Sequence, residues 1–357
     1  MAKKFLVTGG AGFIGSHLVD RLLEKGHEVR VLDNLDRQAH PDIKKDVFLN
    51  PKAEFVKGDV CDKKKVGKAL EGVDGVFHFA AAVGVEQSMQ ELNYYVKNNS
   101  LGTSNLLEVL ATTDNDVKKI VVASSMSAYG EGLYRCENCG LIEPELRSGE
   151  QLKMKKWELY CSVCSKKLVP VPTPETKTQK PNSIYGITKK DQEDMTLLIG
   201  KTYGLKAVSM RFFTVIGPRQ PPKNPYTGVI KLFLNKIMKN EQPIVFEDGL
   251  QSRDFISVHD VVEANILAMM SNAANYESFN VGTGKPVTIM ETAEKIALLY
   301  GSRIMPKVTQ DFRGGDVRHC FPDISKITSK IGWRPKRTFE GTLMEIIEWS
   351  NQRVEKN

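Results

Sequence analysis

The 357-residue chain has no stretch near the roughly 20 consecutive apolar residues of a membrane-spanning helix. No membrane partner is therefore expected. It shows no internal repeat and no low-complexity tract, which argues against a solenoid or a disordered array. It lacks a cluster of one charge sign: the formal net charge of +7 comes from scattered lysines and arginines. That balance suits an anionic small ligand and gives no footprint for nucleic acid. The opening MAKKFLVTGG turns to glycine after a short apolar run, which reads as a first strand rather than a signal peptide. The expected location is the cytoplasm. What is present is 41% hydrophobic residue, enough for one large α/β domain or two lobes.

Cysteine is scarce and unevenly placed. Four of the six cysteines form two Cys-x-x-Cys pairs, Cys136/Cys139 and Cys161/Cys164, with 21 residues between the pairs. Two thiol pairs brought together by a hairpin make a tetrahedral S4 site suited to structural zinc. All four positions are protein ligands, so no catalysis is assigned to the metal. A redox or disulfide pair is the competing reading, disfavoured in a cytosolic chain. Gly140 follows the first pair, where a knuckle turn tolerates a left-handed backbone. Between Leu133 and Lys177, 8 Lys/Arg face 6 Asp/Glu, too even a balance for a nucleic-acid-binding ribbon.

The first 35 residues carry the most chemistry. Phe5, Leu6 and Val7 form a strand, and Gly9, Gly12 and Gly15 are spaced G-x-x-G-x-x-G. Leu18, Leu22 and Leu23 then mark a helix face that ends at Gly26, and Val29 to Leu32 form a second strand. Such a turn lets backbone N–H groups at a helix N-terminus meet a pyrophosphate. Asp33 lies 18 residues after Gly15, placed to accept bonds from an adenosine ribose and to repel a 2′-phosphate. NAD is thus favoured over NADP, with nearby Arg37 arguing the other way. The βα alternation continues: a strand ending at Asp59 and Val60, a strand ending in Phe79, Ala80 and Ala81, a helix opening near Asn99, and a strand from Ile120 to Ala123 that ends in serines. Ligands bind beyond the carboxyl ends of such strands. The expected cofactor contacts are Gly9, Gly12, Phe13, Ile14, Gly15, Asp33, Asn34, Asp59, Val60, Phe79, Ala80, Ala81 and Asn99, with Tyr185 and Lys189.

TGGAGFIG, SSMSAYG and YGITK together resemble the extended short-chain dehydrogenase/reductase family. RFFTVIGPRQ, QSRDFISVHDVV, FNVGTGKPVTI and RGGDVRHCFPDISKITSKIGWRP resemble its nucleotide-sugar epimerase branch. The resemblance covers nearly the whole chain outside the cysteine segment. It implies a catalytic group of Ser125, Tyr185 and Lys189. Tyr185 and Lys189 are four apart on one helix face. A lysine ammonium beside the phenol favours phenolate, which can take a proton from a sugar hydroxyl. The resemblance further implies that Ser125 bonds the same oxygen and that Lys189 also holds the nicotinamide ribose.

The serine turn separates the branches of the family. The 4,6-dehydratases have an Asp-Glu pair at the places of Met126 and Ser127, and related decarboxylases have Glu at Ser127. Serine offers no strong acid or base for such later steps. What remains is removal and return of hydride at C4, an epimerisation with NAD regenerated each cycle. A 4-keto-sugar reductase is the competing enzyme reading, and a non-catalytic nucleotide-binding or zinc interaction protein the competing class. For the nucleotide sugar, the resemblance implies diphosphate and ribose contacts at Arg253, Arg313 and Asp316, base packing by Val229, Ile244 and Phe246, and sugar contacts at Ser125, Ser127, Thr214 and Cys320. Thr214 resembles the glucuronate 4-epimerases, yet their arginine seven residues on is Pro221 here, with Arg219 and Gln220 nearby. Cys320 stands where a bulky tyrosine excludes N-acetylated sugars, so a small residue there could admit a 2-acetamido group, or simply pack.

The expected architecture is an α/β NAD-binding Rossmann sheet, doubly wound and parallel, with a smaller interleaved substrate lobe and a zinc-binding insert. Residues 1–132 and 178–212 form the NAD-binding part, to which part of 255–282 returns. Residues 133–177 form the insert, and 213–357 mainly the nucleotide-sugar lobe. A homodimer is implied by the resemblance, through helices that include the one carrying Tyr185. The insert leaves after Tyr129-Gly130 and returns before Pro181, beside the expected sugar pocket. A lid, a subunit contact and a docking surface are its candidate roles.

Overall fold

The structure, a computed structural model, describes residues 2–42, 47–220 and 228–355. Pro221 lies outside the described residues. Seven parallel strands form the central sheet, in the spatial order 277–281, 206–212, 119–125, 75–78, 4–8, 28–33, 54–57. The order reverses direction between Lys4–Thr8 and Gly75–His78. That switch point opens a crevice beyond the strand ends, where doubly wound sheets hold their ligands. The inner strands carry Leu6, Val7, Val31, Val76, Phe77, Val121 and Val208, all wholly buried, because helices cover both faces.

Three boundaries differ from the sequence reading. The third strand stops at Lys57, so Asp59 and Val60 belong to the turn that follows. The fourth stops at His78, leaving Phe79, Ala80 and Ala81 beyond the sheet. Asn99 sits in a π-helical turn, Val96–Leu101, that runs directly into the helix Gly102–Thr112.

A second, four-stranded sheet lies C-terminal to the first. Ser252–Ser257 pairs with Thr214–Ile216, Pro286–Thr288 and His319–Cys320. The helices Val229–Met238, Ile289–Tyr300 and Phe339–Glu355 surround a separate core that includes Phe233, Phe255, Ile296 and Leu343. Strand Glu277–Val281 returns to the central sheet beside Lys206–Phe212.

The cysteine segment forms its own three-stranded antiparallel sheet, ordered 140–142, 133–136, 169–171. Its core is small: Tyr134, Leu159, Leu168 and the cysteines. Its two ends are clasped, since Lys180 N donates to the Tyr129 carbonyl at 3.4 Å. Gly130 makes this possible with φ +69°; a Cβ there would stand 2.3 Å from the Lys180 oxygen.

Under the sheet lies a buried ion pair. Arg211 Nε donates to both Glu193 carboxylate oxygens at 3.1 and 3.0 Å, and the Ser209 and Ser278 hydroxyls also donate to that carboxylate. Burial favours the neutral acid, but Arg211 outweighs it and holds the Glu193 carboxyl below its usual range. Removing one member of such a pair strands the other. Arg211→Ala is expected to lower the unfolding free energy by about 3–5 kcal/mol, read from urea unfolding, with the Glu193→Ala/Arg211→Ala double variant less destabilised than the two losses summed.

Candidate active site

A cavity of about 370 Å³ occupies the crevice at the switch point, within the size range of ligand pockets. The glycine turn forms one wall. Gly9 has φ +71°, and a Cβ there would lie 2.8 Å from Ala80 N. A Cβ on Gly15 would lie 2.2 Å from the Gly9 oxygen. Only glycines let strand end and helix start approach this closely. The helix Phe13–Glu24 begins at Gly12 with no side-chain cap and no acidic residue in its first turn. Its N-terminus therefore presents backbone donors and positive dipole to an anion.

Asp33 ends the second strand and lines the cavity. Its Oδ2 accepts from Ala11 N at 3.0 Å and its Oδ1 from Leu35 N at 2.9 Å, which locks the carboxylate beside the turn. Arg37 is exposed and is not among the lining residues. The cradle, the open helix end and the fixed carboxylate fit an adenine dinucleotide without a 2′-phosphate.

Of the residues singled out by sequence, the cavity brings together Gly9, Gly12, Phe13, Ile14, Gly15, Asp33, Asn34, Val60, Phe79, Ala80 and Ala81 with Ser125, Tyr185, Lys189 and Thr214. Two predicted cofactor contacts lie behind its wall. Asp59 accepts from Asn34 Nδ2 at 3.1 Å and from Cys61 N at 2.8 Å, and so fixes Asn34. Asn99 is wholly buried and bonds both the Ala82 backbone and Thr188 Oγ1, bracing the strand end against the Tyr185 helix.

The helix Ile184–Tyr203 is capped by Ser183, whose hydroxyl accepts from Gly186 N at 3.1 Å, and closed by Gly204 at φ +73°. It buries Tyr185 and Lys189 on one face. Their electrostatics differ from the sequence expectation. Lys189 Nζ donates to Gln192 Oε1 at 2.7 Å rather than to the phenol. Burial pushes the Tyr185 hydroxyl up to about 12, with Ser125 pulling the other way, and lowers Lys189 to about 7. The phenol is thus held neutral in this arrangement. Behind the lysine runs a polar chain missed in the sequence. Gln192 Nε2 donates to Thr103 Oγ1 at 2.7 Å, Thr103 Oγ1 meets His78 Nε2 at 2.8 Å, and His78 Nδ1 meets Thr8 Oγ1 at 2.8 Å. Burial holds His78 neutral, lowering it to about 3. Thr8 also accepts from Phe79 and Ala80 N–H groups. A lone histidine within the apolar run VFHFAAA was the only signal for this chain.

The remaining substrate candidates lie outside the cavity lining. Arg253 and Asp316 are paired at 2.9 Å, and Arg313 stacks over Phe246 at 5.1 Å. Ile244 is half-exposed on a short strand, and Val229 opens the helix that follows cavity-lining Gly228. Ser127 donates its N–H to Ser125 Oγ at 3.1 Å, bracing that hydroxyl at the cavity wall. Cys320 is 1% exposed and packs with Tyr129 and Phe213; burial pushes its thiol up to about 12. It is not among the residues that line the cavity.

Residues 5–148 and 159–282 match the NAD dependent epimerase/dehydratase family. The chain belongs to this family. The internal gap in that match, 149–158, lies inside the cysteine insert. The chain is 31% identical to the dTDP-L-rhamnose 4-epimerase of Burkholderia thailandensis over 357 residues, 99% of this chain and 96% of that protein. The UDP-glucose 4-epimerase of Thermotoga maritima with UDP-glucose superposes with a TM-score of 0.80 at 32% identity, covering 98% and 99% of the two chains. The UDP-N-acetylglucosamine 4-epimerase of Methanobrevibacter ruminantium, in complex with UDP-N-acetylmuramic acid, gives 0.78 at 32%, covering 99% of each. Among the described residues, no helix is long and apolar enough to cross a membrane.

The buried lysine of this epimerase-family chain has a signature in stability. Its folded pKa is near 7 against an ordinary 10.5. Between these values the unfolded chain binds a proton that the folded chain releases, so stability rises with pH across that window. Lys189→Met is expected to remove this rise relative to the parent and to be the more stable protein near the lower end, as read by urea unfolding across the window.

Proposed function

We propose that the protein is an NAD-dependent nucleotide-sugar 4-epimerase acting on a UDP-hexose. The observation that carries the reading is one cavity holding the glycine cradle, Asp33, Ser125, Tyr185 and Lys189, with no carboxylate at Met126 or Ser127. The bound dinucleotide supplies the ring that oxidises and then re-reduces the sugar carbon. Tyr185 takes the C4 hydroxyl proton and later returns it. Ser125 holds that oxygen in line with the phenol. With the cofactor bound, Lys189 would hold the nicotinamide ribose, and its charge would draw Tyr185 toward the anion. Ser127, next in the turn, has no acid to divert the keto-sugar into elimination.

Three further observations refine the substrate and setting. Lys189 is the only lysine or arginine among the described lining residues, and Arg219 is turned away to Asp20 at 2.7 Å. Gln220 lines the cavity in its place. This favours a neutral hexose over a uronate. Arg253, Arg313 and Asp316 are the proposed diphosphate and ribose contacts, with Val229, Ile244 and Phe246 on the base. Ile187 and Leu198 stand exposed on the Tyr185 helix, 43% and 63%, which supports a homodimer through that helix.

The four thiolates of Cys136, Cys139, Cys161 and Cys164 are assigned to structural zinc. Their sulfurs lie within 4.8 Å of one another. Val163 N donates to Cys161 Sγ at 3.4 Å, and Gly140 adopts φ +79° after the first pair. A four-sulfur set with N–H groups aimed at thiolate suits zinc. The small core of the insert leaves it dependent on such a staple.

Purified protein given UDP-glucose, UDP-N-acetylglucosamine, UDP-glucuronate and their dTDP counterparts, without added cofactor, is expected to invert C4 of a UDP-hexose by NMR. Stoichiometric consumption of added NADH would instead identify a reductase. Tyr185→Phe is expected to lower kcat by about 10²- to 10⁴-fold. Elemental analysis is expected to find about one zinc per chain, lost in Cys136→Ser/Cys164→Ser, with cobalt substitution giving the visible bands of a tetrahedral thiolate site.

A further inference from the structure

The insert meets the second sheet through buried charge. Arg147, whose side chain is wholly buried, donates from Nη1 and Nη2 to the two Glu247 carboxylate oxygens at 2.7 and 2.9 Å. The same Nη2 donates to the Asp316 carbonyl at 3.0 Å. Arg318, also wholly buried, donates to Glu158 of the insert at 2.7 Å, to Glu247 at 3.0 Å, and to both Asp248 oxygens at 2.7 and 2.8 Å. Two arginines and three carboxylates thus share one site, and the insert contributes Arg147 and Glu158.

The far side of this network is the predicted phosphate-binding edge. Arg253 donates to the carbonyls of Val317 at 2.8 Å and Arg318 at 3.2 Å, and to Asp316 Oδ1 at 2.9 Å. The backbone that aims Arg253 is therefore the backbone that Arg147 and Arg318 hold. Phe246, under the Arg313 guanidinium, adjoins Glu247. Buried ion pairs are poor sources of net stability, because desolvation cancels most of the attraction. Their fixed fork geometry instead specifies position.

We propose that Arg147 and Glu158 are positioning residues for nucleotide binding, which act through Glu247 and Arg318 to set the 316–318 backbone and so the aim of Arg253 at a nucleoside diphosphate. The inference rests on the epimerase reading for what Arg253 and Asp316 hold. It gives the insert a role in substrate affinity rather than in proton transfer.

The test is calorimetric titration of the full-length parent and variants with UDP and dTDP, alongside bound-NAD content, melting temperature and sugar kinetics. Arg147→Ala is expected to weaken nucleotide binding about tenfold, roughly 1.4 kcal/mol, with KM raised and kcat within about twofold of the parent. Arg147→Lys keeps the charge without the fork and should lose about threefold. Glu158→Gln keeps an acceptor for Arg318 without its charge, and decides the matter where Arg147→Ala does not fold; it should weaken binding several-fold. Folded variants that bind UDP and dTDP like the parent overturn the inference, as does a fall in kcat with binding unchanged. So does weakened binding that added NAD restores, since the network would then act on the cofactor fold. Nucleotide binding needs no sugar chemistry, so a parent that binds UDP or dTDP yet inverts no sugar defeats the epimerase reading alone. A parent that binds neither nucleotide overturns both.

Discussion

A lysine taken wholly out of water, one helical turn from a tyrosine, is the constraint around which the rest of the structure is arranged. Burying an ammonium is costly unless polar partners surround it. Here Gln192, Thr103, His78 and Thr8 form those partners, and the chain ends at the glycine turn itself. The glycine turn and the helix that carries Tyr185 and Lys189 are thus mechanically joined. Thr8 closes the first strand, His78 the fourth, and the crevice lies between them. The same low dielectric that depresses the lysine raises the phenol. In this arrangement burial disfavours the charged form of both groups.

The second sheet answers a different demand. In the proposed role of Arg253 a partly exposed guanidinium would meet a diphosphate, and a flexible one would lose ordering entropy on every binding event. Three acceptors from residues 316–318 fix it in advance. Those residues are held in turn by strand His319–Cys320 against Ser252–Ser257, and by Glu131, whose carboxylate accepts from the Arg318 and His319 N–H groups at 2.8 and 2.9 Å. Glu131 stands at the root of the insert. The cysteine segment is therefore joined to residues 316–318 through backbone N–H groups as well as through charge.

Much of this was legible in the residues. The glycine spacing, Asp33 and the Tyr185/Lys189 interval are local patterns, and the structure gathers them in one cavity because each sits at a strand end or on one helix face. The cysteine spacing was equally local. What sequence could not show was which neighbour a long side chain prefers. Lys189 was read as the tyrosine's partner and is bonded to Gln192, three residues on and invisible to a motif. Asn99 and Asp59 were read as contacts, and the structure adds bonds to Ala82, Thr188, Asn34 and Cys61 that no motif announces. Cys320 was read by position in a family pattern, while its packing against Tyr129 and Phe213 depends on chain segments over 100 residues away. Arg147, Glu158, Glu247 and Arg318 had no pattern at all, because a buried ion cluster is assembled only by the tertiary fold.

The clasp between Tyr129 and Lys180 settles how such a segment can join an old enzyme. With that hydrogen bond in place, the polypeptide leaves and re-enters at nearly one point, so the parent strand and the Tyr185 helix keep their geometry whatever hangs between them. The segment is thus anchored twice, at this clasp and at the buried charges it shares with residues 247 and 316–318. Exchanging it would leave that frame in place but would take Arg147 and Glu158 out of the buried cluster that holds residues 316–318.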